Sequence, residues 1–373
     1  MKSSKIWFWQ RVITPHMAYL AIALAKKGID VTYVAEESMS SDRAAQGWQA
    51  PNLPGVTIYF LKTNTEIDRL LSIATKDSIH ICQGIRGNGM IHLVEKKLSA
   101  LGRRFWIVME TIDDAGAKGF LKRLYYHFLL LYSKNNISGF LAIGHKTTTW
   151  LQNRGISSKR IHPFTYFLNE TQPIGNEWQT TNNKLYKILF VGQLIQRKQL
   201  DLLFKSLEKI PGDLPFSLQI IGTGPLETEL KSLGKKILGS KVEWLGKLTM
   251  EETRNNMLKA DCLVLPSAHD GWGAVVSEAL MAGTPAICSE NCGATEAVLA
   301  SGVGGVFPSG DQKALSELLA KSIALGPQTL ESRSRLSRWG QAFGATNGAE
   351  YLIKLLTIQE SDSARPAPPW RRS

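Results

Sequence analysis

Two acids with seven residues between them stand in the segment Asp270-Gly-Trp-Gly-Ala-Val-Val-Ser-Glu278. An apolar run, Asp261-Cys-Leu-Val-Leu-Pro266, precedes it, and Ala279-Leu-Met-Ala-Gly283 follows. That order reads as a buried strand, a tight loop and a helix closed by glycine. A helix start reached through small residues presents unbonded N–H groups and the positive end of the helix dipole, which suits a phosphate. Counted from Ala274, Glu278 lies roughly 6 Å further along the axis at ~1.5 Å per residue, a distance that suits a ribose beside its phosphates. Asp270 sits on the loop side. Phosphate alone gives two carboxylates no role, whereas a nucleotide-sugar carries hydroxyls at both ends of its diphosphate.

The rest of the chain supplies the frame for these groups. At 373 residues it accommodates two α/β domains, each with its own core. In the first half, strands are predicted at 6–9, 31–34, 56–61, 79–82, 105–109 and 139–143, with a further short one between 154 and 167. A helix is predicted from His16 to Lys27, and others fall between most of the strands. The second half alternates more clearly, with strands at 186–191, 216–221, 242–245, 262–265, 285–288 and 305–307. Strands alternating with helices imply parallel sheets covered on both faces. The expected layout is a first domain over 1–167, a polar linker over 168–184 and a second domain over 185–360. Its last helix is a candidate to pack back on the first domain. The proline-rich 361–373 is expected to be a disordered tail.

Charge separates the halves. Residues 1–167 carry 22 Lys and Arg against 11 Asp and Glu, and residues 168–373 carry 22 against 21, so nearly all of the net +12 lies in the first half. That half should face something anionic, with nucleic acid and an anionic membrane surface as the two partners to weigh. No run reaches the ~18–20 apolar residues of a membrane span, and the start lacks a signal-peptide pattern. The four cysteines, Cys82, Cys262, Cys288 and Cys292, lack zinc-site spacing and read as reduced thiols in a cytoplasmic protein. Lys118 to Lys134 reads as a helix that is apolar nearly all round through its middle and has basic ends. It is either buried or an interfacial helix approaching anionic lipid.

Five blocks in order give the second half a resemblance to glycosyltransferase family four, covering roughly 187–325. They are Phe190-Val-Gly-Gln-Leu-Ile-Gln-Arg-Lys198, Ile221-Gly-Thr-Gly-Pro-Leu226, Ala260-Asp-Cys-Leu-Val-Leu-Pro-Ser267, His269 through Gly283, and Cys292-Gly-Ala-Thr-Glu296. The resemblance implies a GT-B fold, two Rossmann-like domains with parallel sheets facing across a cleft, and a retaining, nucleotide-sugar-dependent transferase. It implies that Glu278 binds the ribose hydroxyls and that Asp270, one methylene shorter than the usual glutamate, contacts the donor sugar. The competing readings are a helix cap for Asp270 and a solvated helix-face carboxylate for Glu278. Lys198 matches a lysine that clamps the diphosphate, or else is a plain loop lysine. Gln193, itself a donor-binding candidate, stands where that clamp usually has arginine; Arg197 is also a donor-binding candidate, either compensating for the missing charge or pointed differently by its neighbouring position. Further donor positions are Gly222, Gly224, Gly246, Lys247, Gly271, Trp272, Gly273, Ala274, Val275 and Glu296. No Asp-x-Asp sequence is present, so neither a metal nor another cofactor is expected. Lys198 and the helix start near 274–276 would meet the leaving group's charge.

In the first half, His16 is a candidate to touch donor or acceptor, or to cap its helix. Glu110, at the end of a predicted strand, is a candidate base for the acceptor hydroxyl, or part of a surface acidic loop. Together these readings predict transfer of a sugar from a nucleotide-sugar to a saccharide or lipid-linked acceptor. The setting implied is cell-surface polysaccharide synthesis, of lipopolysaccharide or exopolysaccharide type, at the inner face of a membrane. The alternatives are a sugar-nucleotide epimerase or phosphorylase of the same fold, and a nucleic-acid-binding α/β protein. The last lacks a recognition motif or aromatics interleaved with bases, and nucleic acid is not expected as a partner.

Overall fold

A computed structural model describes residues 5–39, 50–114, 116–133, 135–170, 185–357 and 365–371. The chain divides into two units, one made of residues up to Asn169 together with those from Gly344 onward, the other running from Glu170 to Phe343.

The first unit contains β1 (Ile6–Val12), α1 (Pro15–Lys26), β2 (Val31–Glu37), β3 (Thr57–Phe60), α2 (Asn64–Ile73) and β4 (Ile79–Gln83). It continues with α3 (Ile91–Ala100), β5 (Phe105–Glu110), α4 (Gly116–Ser133), β6 (Ile137–Ile143), α5 (His145–Gln152) and β7 (Ile161–Phe164). All seven strands pair in parallel in the order β3-β2-β1-β4-β5-β6-β7. A strand covered on both faces reads as a continuous apolar run instead of an alternating one, and β1 does so, with only Arg11 exposed. Trp7 and Trp9 share one face and stack at 5.6 Å, while Phe8 turns to the other face, 6.0 Å from the Tyr33 ring.

The second unit begins with β8 (Tyr186–Val191), α6 (Leu200–Glu208), β9 (Phe216–Ile221), α7 (Glu227–Leu238), β10 (Val242–Gly246) and α8 (Met250–Lys259). It continues with β11 (Cys262–Leu265), α9 (Ala274–Met281), β12 (Ala286–Ser289), α10 (Thr295–Ser301), β13 (Gly305–Phe307), α11 (Gln312–Leu325) and α12 (Leu330–Gly340). Its six strands are parallel in the order β10-β9-β8-β11-β12-β13. Strand order reverses direction between β8 and β11 here, and between β1 and β4 in the first unit. Beyond the carboxyl ends of strands flanking such a switch point, diverging loops leave room for a ligand.

After the second unit the chain returns to the first. In α13 (Ala345–Thr357), Glu350 pairs with Lys27 at the end of α1 at 2.9 Å, and the Tyr351 hydroxyl donates to the Pro163 carbonyl. Gly348 sits so close to Phe167 that an added Cβ would lie 2.3 Å from the ring. The expected disordered tail is corrected over 365–371. Pro369–Arg371 form a short 3-10 turn, and Trp370 is buried with its ring 6.5 Å from Phe167. A large apolar ring outweighed the proline-rich composition. The rest of that tail, and 171–184 of the expected linker, lie outside the described residues.

The reading of α4 as a buried helix is also corrected. Phe120, Leu121, Leu124, Tyr125, Phe128 and Leu131 are exposed, and Leu130 is buried beneath them. Among the described residues no helix is long and apolar enough to cross a membrane. All four cysteines are buried free thiols.

Candidate active site

The loops after β8, β9, β11 and β12 converge at the switch point of the second unit. The β8 loop is clamped from both sides. The Gly192 and Leu194 amides donate to Ile221 and Thr223 of the β9 loop, and the Ala268 amide donates to the Arg197 carbonyl at 2.8 Å. Two glycines permit this approach. A Cβ at Gly222, whose φ is +134°, would fall 1.9 Å from the Gly192 carbonyl oxygen, and one at Gly224 would fall 2.5 Å from that of Leu194. The Gly222 amide in turn donates to Gly246 at the end of β10, next to the exposed Lys247. Gly222, Gly224 and Gly246 therefore shape the site through loop packing.

A short 3-10 turn, Gln196–Lys198, ends in Gln199, whose φ of 49° makes it the described non-glycine residue in the left-handed region. The turn brings Arg197 and Lys198 to the same acid. Lys198 Nζ lies 2.5 Å from Asp270 Oδ2, and Arg197 Nη1 lies 3.4 Å from Oδ1 while donating to the His269 carbonyl. Of the two readings open for Arg197, this is the arrangement in which it points into the site beside Lys198. Gln193 is half-buried in the same loop. Ser267 Oγ donates to Asp270 as well. Burial acts to raise the Asp270 pKa, but the Lys198 ammonium, with Arg197 and Ser267 behind it, outweighs burial and holds the carboxyl below its ordinary value.

Backbone pairing fixes this acid in place. Asp270 bridges Cys292, its amide donating to Asn291 and its carbonyl accepting from Gly293. Gly293 has no room for a side chain, since a Cβ there would meet the Gly271 carbonyl oxygen at 1.9 Å. Trp272 is not a donor-facing side chain. It is buried, its indole N–H donates to Ser277, and its ring packs 6.2 Å from Phe343, so it anchors the loop in the domain core. Asp270 does not cap α9 either. The cap position is Gly273, at φ +85°, and no side chain caps the helix. A Cβ at Gly273 would lie 2.7 Å from Cys292 Sγ.

The helix α9 thus opens with Ala274 and Val275 half-exposed and with no acid in its first turn. Glu278 follows one turn later. It is half-buried, and among the described residues its carboxylate has no hydrogen bond or ion pair. Loss of solvation alone pushes its pKa up to about 7. A carboxylate placed next to an uncapped helix start can accept hydrogen bonds from hydroxyl donors. Glu296 lies half-buried in the first turn of α10. Among the described residues no group of three or more His, Cys, Asp or Glu is placed to hold a metal ion.

In the first unit the structure joins His16 and Glu110 through a residue that the sequence reading missed. Tyr166, just beyond β7, stacks on the His16 ring at 4.7 Å and donates its hydroxyl to Glu110 Oε1 at 2.7 Å. His16 does not cap α1, because Thr14 does, accepting from the Met17 amide. Glu110 ends β5 half-buried and is not part of a loose acidic surface loop. Pairing of β5 with β6 and of β6 with β7 carries Glu110 and Tyr166 to the same edge of the sheet. Nothing in the spacing of 110 and 166 announces this.

Two parallel sheets with these strand orders and flanking helices define the GT-B class. Residues 176–342 match the family described as glycosyl transferases group 1. The chain is 31% identical over 111 residues to the uncharacterised glycosyltransferase MJ1178 of Methanocaldococcus jannaschii, a match covering 30% of each chain. It is 30% identical over 183 residues to the amylovoran biosynthesis glycosyltransferase AmsK of Erwinia amylovora, covering 45% of each. The chain thus spans less than half the length of these relatives. The structure of Anabaena HepE in complex with UDP superimposes with a TM-score of 0.70 at 14% identity, over 95% of this chain and 99% of that one. At that identity the likeness concerns the fold.

Proposed function

We propose that this protein transfers a sugar from a nucleoside-diphosphate sugar to a hydroxyl of a saccharide or lipid-linked acceptor, with retention of configuration. It would act in cell-surface polysaccharide or glycolipid synthesis at the inner face of a membrane. The observation that carries this reading is the uncapped start of α9, with Glu278, which has no partner among the described residues, on one side and the Lys198–Asp270 pair on the other. The diphosphate would lie on the α9 amides, and the ribose hydroxyls would donate to Glu278. As the bond from the anomeric carbon to the diphosphate oxygen breaks, the departing oxygen keeps the electron pair. Lys198, Arg197 and the α9 amides would meet that charge without a metal. The Asp270 carboxylate would accept hydrogen bonds from donor-sugar hydroxyls. Glu110, held by Tyr166, would take the proton of the acceptor hydroxyl.

Support for a nucleotide-sugar donor comes from proteins named for such chemistry. One is a GDP-mannose-dependent mannosyltransferase of Corynebacterium glutamicum, 31% identical over 139 residues, and another is HepE, seen with UDP-glucose. The test is calorimetry against UDP, GDP and ADP, followed by a panel of their sugars with product analysis. Binding of one nucleoside diphosphate that is lost in Glu278→Ala, with sugar transfer dependent on an added acceptor, is the expected result. Release of an epimer without acceptor, or turnover only with inorganic phosphate, would replace the reading with an epimerase or a phosphorylase.

A further inference from the structure

Helix α4 presents an apolar face that no other part of the chain covers among the described residues. At about 100° per residue, Phe120, Leu121, Leu124, Tyr125, Phe128 and Leu131 fall within an arc of about 140° on the helical wheel, and buried Leu130 lies opposite. Phe120, Leu121 and Phe128 are 56%, 71% and 65% exposed, and with Leu124, Tyr125 and Leu131 they form one stripe on one helix, unlike the singly exposed Leu299 and Leu325. Cations border the stripe. Lys122 and Arg123 are exposed on the same helix, Arg123 lies over the Phe120 ring at 5.9 Å, and the exposed Arg86 from the loop after β4 covers the Tyr125 ring at 4.4 Å. The helix itself contains no Asp or Glu. Of the two acids that precede it, Asp114 is ion-paired with Arg154 and accepts from the Trp150 indole.

We infer that α4 is a bilayer-docking helix, lying in the plane of an anionic membrane with Phe120, Leu121, Leu124, Tyr125, Phe128 and Leu131 among the acyl chains and the bordering cations on lipid phosphates. Charge selects this occupant over a second copy of the chain. A two-fold contact through this face would set Arg86, Lys122 and Arg123 against their own likenesses, whereas anionic headgroups neutralise them. Length selects lying over spanning. The 18 residues of α4 reach about 27 Å at ~1.5 Å per residue, short of a ~30 Å hydrocarbon core, and three cations, Lys118, Lys122 and Arg123, interrupt them. The excess of basic over acidic residues in 1–167 adds long-range attraction to the same surface. The inference deepens the proposed function by naming the surface that would bring the enzyme to a lipid-linked acceptor. Its test reads lipid binding alone, so it stands or falls apart from any transfer activity.

The experiment is co-sedimentation of the full chain with vesicles of phosphatidylcholine alone and of phosphatidylcholine with phosphatidylglycerol. The wild type should pellet with the anionic vesicles, less so as salt rises above 0.1 M, where the Debye length is ~10 Å. The combined substitution Phe120→Ser, Leu121→Ser and Phe128→Ser should lower the partition coefficient by about tenfold or more, since each ring or branched chain loses its apolar burial. Unchanged thermal unfolding would show that the variant folds. Because the four native thiols are buried, Phe128→Cys takes an environment-sensitive dye selectively, and its emission should shift to the blue with anionic vesicles. Pelleting that ignores the substitutions, equal pelleting with neutral vesicles, or a dye that does not respond would overturn the inference. So would light scattering that shows a dimer of the wild type and a monomer of the triple variant, which would give the face to a second copy.

Discussion

Glu278→Gln should make the protein more stable at alkaline pH and worse at binding its nucleotide, and both effects come from one property of the site. Glu278 has no protein partner among the described residues, and loss of solvation moves its carboxyl from 4.5 in the unfolded chain to about 7 in the folded one. Between those values the folded state holds the proton and the unfolded state does not, so the wild type loses stability as pH rises from about 4.5 to about 7, then levels off. The full shift corresponds to about 3 kcal/mol, and partial solvent access reduces the expected effect to about 1–2 kcal/mol. Glutamine keeps the shape and has no charge to desolvate. Urea unfolding of both proteins from pH 5 to pH 9 should therefore show a stability difference near zero at the acid end that grows in favour of the variant and flattens above about pH 8. Glu95, pushed up to about 9 by burial, titrates in both proteins and cancels in the difference. Over the same range calorimetry should show the wild type binding nucleoside diphosphate more tightly as the carboxylate forms, and the variant losing about 1.5–3 kcal/mol of affinity at pH 8. A stability difference independent of pH would refute the titration of Glu278. Equal affinity in the two proteins would remove it from the ribose site.

Three other outcomes are expected. Lys198→Ala should lower turnover by about 10²-fold and nucleotide affinity by less, since the charge it meets is largest in the transition state, and turnover of the wild type should survive EDTA; restoration by manganese or magnesium after complete loss in EDTA would count against this. Gly222→Ala forces a Cβ onto the Gly192 carbonyl at a φ that disfavours any side chain, and chemical denaturation should show a loss of about 2–4 kcal/mol. Tyr166→Phe deletes the hydroxyl that holds Glu110, so kcat should fall while affinity for the nucleotide is unchanged, and the acid limb of the pH–rate profile, where a base becomes protonated, should stay in place only if Glu110 is not the base.

The strands were legible because parallel sheets covered on both faces leave uninterrupted apolar runs, as Ile6-Trp-Phe-Trp and Tyr186-Lys-Ile-Leu-Phe-Val show. The acid pair and Lys198 were legible because they sit at fixed offsets from such strands. What escaped depends on conformation at single residues or on contacts far apart in sequence. Arg197 was legible as a donor candidate but its direction was not, because it reaches Asp270 from a 3-10 turn that ends in the left-handed Gln199, an exception that composition does not signal. Tyr166 meets Glu110 only through the register of three adjacent strands. Trp272 sits in a donor motif by sequence, yet its indole finds Ser277 and Phe343 inside the domain. Trp370 shows the opposite case, a ring in a proline-rich tail that docks on Phe167. For α4, the sequence showed how apolar the helix is, and only packing decided which of its apolar residues face outward.

The two acids of the site are prepared in opposite ways, and this suggests an order of events. Asp270 is already saturated by Lys198, Arg197 and Ser267, and its carboxyl stays ionised below its ordinary value. Glu278 has no partner among the described residues, and loss of solvation raises its pKa to about 7. A nucleotide entering first at Glu278 meets no competing protein bond, so its ribose can be captured at little cost. The diphosphate must then share Lys198 with Asp270. Drawing the ammonium toward phosphate weakens its hold on Asp270 at the moment when a sugar attached to that diphosphate arrives beside it. Donor hydroxyls can then replace the lysine protons on the carboxylate. A bare nucleoside diphosphate offers no such replacement and leaves Asp270 less well compensated. On this reasoning the Lys198–Asp270 pair favours the intact donor over its spent product, which helps product leave after transfer.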